Sequence, residues 1–250
     1  MLTRLVARLD VKGPNLIKSV QFEGLRILGD PAEAARGYYR DGVDEILYVD
    51  PVATLYGRNS LHDVVRATVR DVFVPITVTG GLRSVADVRA MLRAGADKVG
   101  VNTAALDRPD LLDELAAEFG AQSIVVSIEA KMKDDGSWRC YTDNGRIPTD
   151  RQPHEWAEEA VGRGAGEVLV TSVDREGTRR GFDCDLVRAI RAVVDVPVVA
   201  SGGMGGPADV AAVVEAGADA VAMADALHYD RWRLPDLRIE VGALGVGTRG

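Results

Sequence analysis

Cysteine is nearly absent from this 250-residue chain: Cys140 and Cys184 stand far apart and without the spacing of a metal site. A disulfide framework is excluded, and free thiols in a reducing compartment are the simplest expectation. No apolar run reaches the roughly 18 residues that a bilayer span needs. Met1–Asp10 carries Arg4 and Arg8 where a signal peptide would need its apolar stretch, so a cytoplasmic location is expected. Positive charge is also in deficit. Thirty Lys and Arg against 38 Asp and Glu leave a net charge of −8 and a pI near 5.0. The basic residues are scattered rather than striped, so the chain repels a phosphate backbone and nucleic acid is not an expected partner. No metal, cofactor or membrane partner is expected.

What is present is the alternation of a repeated unit. The length is that of one (βα)8 barrel, and 46% hydrophobic residues suffice for a sizeable core. Eight short β-branched runs read as strands: Leu5–Asp10, Glu45–Asp50, Pro75–Thr79, Lys98–Asn102, Ile124–Glu129, Glu167–Ser172, Pro197–Ser201 and Ala220–Ala224. Amphipathic stretches such as Ser84–Ala94 and Ala208–Ala216 lie between them and supply the crossovers that parallel strands require. The chain also repeats itself. Val74-Pro75, Gly80-Gly81 and Ala94-Gly95-Ala96-Asp97 return as Val196-Pro197, Gly202-Gly203 and Ala216-Gly217-Ala218-Asp219, an offset of 122 (197 − 75). A single α/β domain over 1–250 is expected, a TIM barrel of two homologous half-barrels at about 1–122 and 123–250.

Two connections are longer than a barrel needs. Gly13–Asp30 reads as a mobile lid over the mouth, and Lys131–Thr149 contains Asp143-Asn144-Gly145, which suits a type I′ hairpin turn. Asp10 and Glu129 end the first and fifth strands and so face one another across the mouth, the geometry of an acid and base pair. Each could equally cap a strand end or pair with Lys12 or Lys131. The pairs Gly80–Gly81 and Gly202–Gly203 precede helix starts, where backbone N–H groups can cradle phosphate. A diphosphorylated substrate would fit. At the opposite end Arg4, Glu45, Lys98 and Glu167 fall at strand starts, either as a paired ring or as a solvated rim, since burying unpaired ions costs several kcal/mol each.

The runs Leu9-Asp10-Val11-Lys12, Phe22-Glu23-Gly24-Leu25-Arg26, Gly80-Gly81-Leu82-Arg83-Ser84, Ala94-Gly95-Ala96-Asp97-Lys98 and Thr171-Ser172-Val173-Asp174-Arg175 together resemble the cyclase subunit of imidazole glycerol phosphate synthase, up to about Tyr229. The resemblance implies a synthase that receives ammonia from a glutaminase subunit through a charged gate. It would cleave and cyclise a diphosphorylated ribulosyl nucleotide to imidazole glycerol phosphate and an aminoimidazole carboxamide ribotide. Under it Asp10 and Glu129 are catalytic, and Arg4, Glu45, Lys98 and Glu167 form the gate, with Asp97 a contact to the glutaminase. Lys18, Gly80, Gly81, Asn102, Thr103, Asp174, Glu176, Gly202 and Gly203 bind substrate and its phosphates.

The departures from that family matter as much. Glu129 and Glu176 stand where the family has aspartate, and one methylene moves a carboxylate by roughly an ångström, enough to cost on the order of a hundredfold in rate. Arg8 replaces a small residue, and strand alternation is expected to turn it away from the mouth. Asp225 lies opposite Thr103 in the repeat (225 − 103 = 122), where the family has a hydroxyl residue on a phosphate; a carboxylate there either repels the second phosphate or caps the following helix. The Gly-rich tail Gly242–Gly250 stands where the family has a final helix. Alternatives are therefore a specialised paralogue aminating or amidinating another acceptor with channelled ammonia, the histidine-pathway phosphoribosyl isomerase, and a barrel that only activates a glutaminase.

Overall fold

The computed structural model describes residues 2–53 and 61–249. Eight parallel strands hydrogen-bond in a closed ring: β1 (Arg4–Lys12), β4 (Glu45–Val49), β5 (Ile76–Thr79), β6 (Lys98–Val101), β7 (Ile124–Met132), β10 (Glu167–Ser172), β11 (Val198–Ser201) and β12 (Ala220–Met223), the last pairing back to β1. The remaining strands, β2 (Asn15–Val20), β3 (Glu23–Gly29), β8 (Trp138–Thr142) and β9 (Ile147–Pro148), form antiparallel extensions at the mouth. This is the expected (βα)8 barrel. Among the described residues no helix is long and apolar enough to cross a membrane.

The ring forms because its strands are apolar on both faces, as parallel strands covered by helices must be. Val6, Leu47, Val49, Val125, Leu169, Val199, Ala220 and Ala222 fill the inside of the barrel. Their neighbours Leu5, Ala7, Leu9, Ile46, Tyr48, Ile76 and Val78 face outward into the layer beneath the helices. Helix starts are set locally. Asp30 accepts the Glu33 N–H at 2.7 Å ahead of Pro31, and Ser84 accepts the Asp87 N–H. At the floor, Asp97 accepts the Ile76 N–H at 2.8 Å and Asp219 the Val198 N–H at 2.9 Å, the same bond 122 residues apart (219 − 97).

Strands β1 and β7 run past their expected ends because each continues into a hairpin with β2 or β8. That pairing gives regular structure to the stretch read as a mobile lid. Residues 15–29 are a two-stranded hairpin whose tip, Gln21 and Phe22, takes two left-handed residues (φ 51° and 65°) between paired Val20 and Glu23. It is docked: the Gln21 N–H donates to the Glu176 carbonyl at 3.0 Å, and the Gln21 side-chain amide to the Asp174 carbonyl at 2.9 Å. The second hairpin turns where expected, but through three consecutive left-handed residues, Asp143, Asn144 and Gly145 (φ 50°, 59° and 71°), not the two of a type I′ turn. The tail also departs from expectation. Leu234–Ala243 is a helix that buries Leu234, Leu237 and Val241, a spacing of three and four that one helix face requires.

Candidate active site

At the floor the four charges are a closed ring of alternating sign. Arg4 reaches Glu45 at 2.7 Å and Glu167 at 2.9 Å, and Lys98 reaches Glu45 at 2.8 Å and Glu167 at 2.6 Å. Glu45 accepts a further bond from the Thr77 hydroxyl. Each carboxylate thus meets two cations, which is the condition for leaving such ions partly buried. Asp97 remains exposed beside them with one oxygen engaged on Ile76.

Above the ring, residues two apart on β1 share the inward face. Val6 is followed by Arg8 and then by Asp10, so Arg8 points into the barrel, and the expectation that it turns away fails on strand periodicity itself. Its Nε donates to Asp10 Oδ1 at 2.9 Å, and its Nη1 to the Thr171 hydroxyl at 3.1 Å and the Ser201 hydroxyl at 3.0 Å. The Phe22 ring at the tip of the first hairpin covers it, 5.6 Å from guanidinium carbon to ring centroid. Burial opposes its charge, but Asp10, Glu176 and Glu129 hold the guanidinium protonated more firmly than usual.

Glu129 lies on the inward face of β7 and accepts the Gly145 N–H at 2.7 Å. Burial pushes its carboxyl up to about 7, against the opposing pull of the Gly145 N–H, of Arg8 and of Asn102. A carboxyl with that pKa can both give and take a proton near neutrality. It borders a cavity of about 310 Å³, the lower end of the range for small-molecule sites, together with Gly80, Gly81, Asn102, Thr103 and Arg83. Gly80 is required there for packing as well: its φ is +101°, and a Cβ would lie 2.3 Å from the Asp50 carbonyl oxygen.

The second half has the same backbone and no room. Gly202 has φ +94° and would place a Cβ 2.6 Å from the Ser172 carbonyl oxygen. Yet the space bounded by Glu176, Gly202, Gly203 and Asp225 is about 10 Å³, at the limit for one water. Lys18 is buried and committed there, donating to Glu176 Oε1 at 2.5 Å and the Ser19 carbonyl at 2.6 Å. Asp174 is exposed and braces Met132, whose N–H it accepts at 2.8 Å. Asp225 does not cap the helix that follows; Ala224 holds that position, and Asp225 Oδ1 instead accepts from Arg231 Nε at 2.7 Å, with Arg179 Nε at 3.8 Å. Sequence reasoning missed the inward Arg8, the Gly145 amide on Glu129, and Arg83 and Arg108 at the first cavity. Period-two spacing could have found the first; nothing local announces the others.

A closed (βα)8 barrel with a paired ring of charges at its floor and a cavity at the carboxyl ends of its strands, bordered by a buried carboxyl, has the architecture of a (βα)8 enzyme. The chain belongs to the family of histidine biosynthesis proteins, whose model matches residues 4–233, and among them to the cyclase subunits of imidazole glycerol phosphate synthase. It is 54% identical over 202 residues to the synthase subunit HisF of Legionella pneumophila, covering 81% of this chain and 95% of that one. The HisF subunit of Myxococcus xanthus is 54% identical over 230 residues (91% of this chain, 90% of the relative), and that of Beutenbergia cavernae 48% identical over 251 (98% of each).

Proposed function

We propose that this chain is the ammonia-consuming cyclase subunit of a cytoplasmic glutamine amidotransferase of the imidazole glycerol phosphate synthase type, built of half-barrels 1–122 and 123–250. The observation that carries it is the placement of Glu129, a carboxyl that burial pushes up to about 7, on the wall of the cavity shared with Gly80, Gly81, Asn102 and Thr103. A glutaminase subunit docks on the floor beside Asp97. Ammonia enters where Arg4, Glu45, Lys98 and Glu167 part, a step that breaks two ion pairs if one cation swings out. At the mouth Glu129 exchanges a proton with the phosphorylated acceptor, and Asp10, anchored by Arg8, is the second carboxylate. Gly80, Gly81, Asn102 and Thr103 hold a phosphate, with Lys18, Asp174, Glu176, Gly202, Gly203 and Asp225 on the other side of the chamber.

In the reaction of the family, ammonia and the diphosphorylated ribulosyl nucleotide give imidazole glycerol phosphate and the aminoimidazole ribotide. Turnover of that nucleotide with ammonium salt tests the reading directly. It is expected to follow a pH profile inflecting near 7, an inflection that Glu129→Gln removes. Asp10→Asn is expected to abolish product while leaving stimulation of the glutaminase intact; if product survives, the catalytic pair is wrong. The floor ring weighs against the isomerase alternative, which needs no ammonia. A second reading, a paralogue aminating a different acceptor, is favoured by one observation: the carboxylates Glu176 and Asp225 at the closed second half.

A further inference from the structure

We infer that His228 is a positioning residue for the reaction at the mouth: clamped by Tyr38, it directs its Nε2–H at the Arg8 carbonyl and so fixes the stretch of β1 that carries Asp10. This rests on reading Asp10 as one of the two carboxylates that serve the acceptor.

Strand β1 is bordered on one side by β4, which pairs with it as far as Asp10, opposite Val49. On the other side β12 pairs only as far as Ala7, opposite Met223, and the hairpin strand β2 takes over at Asp10, opposite Ile17. Arg8 and Leu9 are left on that side without a strand partner among the described residues, and a buried carbonyl without a partner is costly. The chain leaving β12 turns into the short helix Asp225–His228, whose last residue brings its ring to the Arg8 carbonyl.

The ring is held from the far side by Tyr38 of the helix Pro31–Arg40, with the hydroxyl 2.6 Å from His228 Nδ1 and the ring centroids 5.8 Å apart. Burial pushes the imidazole down to about 4, against the pull of Asp10, the Arg8 carbonyl and Asp225, and raises the Tyr38 phenol. Near neutrality both groups are therefore uncharged, and a neutral imidazole has one donor and one acceptor nitrogen. With Tyr38 donating to Nδ1, the ring proton sits on Nε2, a buried atom for which no side chain among the described residues supplies an acceptor. The Arg8 carbonyl is the acceptor left to it.

The fold does not need a histidine here. In the first half β6 pairs with β7 only as far as Val126 and β8 takes over at Glu129, leaving the same interruption at Ser127 and Ile128. Yet the residue 122 positions before His228 is Leu106 (228 − 106). What differs is the load on the strand: Arg8 spans to Thr171 and Ser201 and holds Asp10 through its Nε, so a shift of the Arg8 backbone is passed to that carboxylate.

Nitrogen NMR of the imidazole near neutral pH is expected to show the Nε2–H tautomer in the wild-type chain. His228→Leu, which copies the first half, is expected to fold, to move the Arg8 carbonyl-carbon resonance, and to lower kcat for the ribulosyl nucleotide with ammonium salt by about tenfold or more with KM within about twofold. His228→Gln, whose amide can place a donor near Nε2, is expected to restore most of both. An Nδ1–H tautomer, or an Arg8 carbonyl resonance that stays in place in His228→Leu, would overturn the inference whatever the chain turns over. Wild-type kcat in His228→Leu, or a loss that His228→Gln leaves unrepaired, would overturn it while leaving the synthase reading standing. No turnover by the wild-type chain, with the tautomer and the resonance as expected, would overturn the synthase reading and support the clamp.

Discussion

Over Gly80–Gly81 a cavity of about 310 Å³ opens, while over Gly202–Gly203 about 10 Å³ remains, although both pairs follow matching strands and both glycines face a carbonyl of the preceding strand. The difference lies in what is laid over the backbone. On the second side the hairpin of β2 and β3 brings Lys18 onto Glu176, and Arg8 fills the interior beneath with bonds to Thr171 and Ser201. On the first side Glu129 and Arg83 face open space. Symmetry of the chain therefore sets where subsites can be, and side chains on and over the loops set which one is usable.

The largest effect is expected from the filler. Arg8→Ala leaves Asp10 buried without its cation and should cost about 3–5 kcal/mol in urea unfolding. The double variant with Asp10→Asn should cost clearly less than the sum of the two, because the pair is coupled. If Arg8→Ala costs under about 1 kcal/mol, the second half is not held shut from below. Next come the glycines. Gly80→Ala and Gly202→Ala should each lose about 2–4 kcal/mol, from a left-handed φ and a Cβ driven onto a carbonyl. Near-equal losses would locate the asymmetry outside the backbone; a much smaller loss at Gly202 would place it there.

Glu129→Gln should act with the opposite sign and depend on pH. A raised carboxyl pKa means that the folded chain keeps a proton that the unfolded chain releases, so wild-type stability falls as pH climbs from about 4.5 to about 7. The variant escapes that loss. It should gain about 2 kcal/mol over wild type at pH 8, discounted for the opening of Glu129 to the cavity, and show little difference at pH 4. A thermal-melt series in pH decides it. The smallest effect belongs to Arg83→Ala, exposed and in no ion pair among the described residues, which should change stability by less than about 0.5 kcal/mol.

The barrel strands were legible because burial on both faces writes itself as a short apolar run, and the runs at Glu45–Val49 and Glu167–Ser172 began within the chain where they were expected to. The tail helix was legible too, in the spacing of Leu234, Leu237 and Val241, and the glycines beyond it masked that signal. Arg8 needed only period-two counting from Asp10. What the chain did not announce was pairing across distance. Lys18 and Glu176 are 158 residues apart, and whether Lys18 serves a ligand or a carboxylate depends on how the hairpin docks. The same holds for Asp225, whose partners Arg231 and Arg179 come from a turn and a loop.

By itself the sequence determined the eight-strand repeat, the positions of the floor charges, the two carboxylates at the strand ends and the glycines that let one strand's loop pass against its neighbour's carbonyl, because these depend on local periodicity and on backbone conformation. Only the tertiary structure decided that the floor charges close into a ring, that burial lifts Glu129 to about 7, and that one half of the mouth is open and the other filled. Charge pairing and desolvation act through space, and the residues that supply them here lie a hundred or more positions apart along the chain in the Lys18–Glu176 and Arg4–Glu167 pairs.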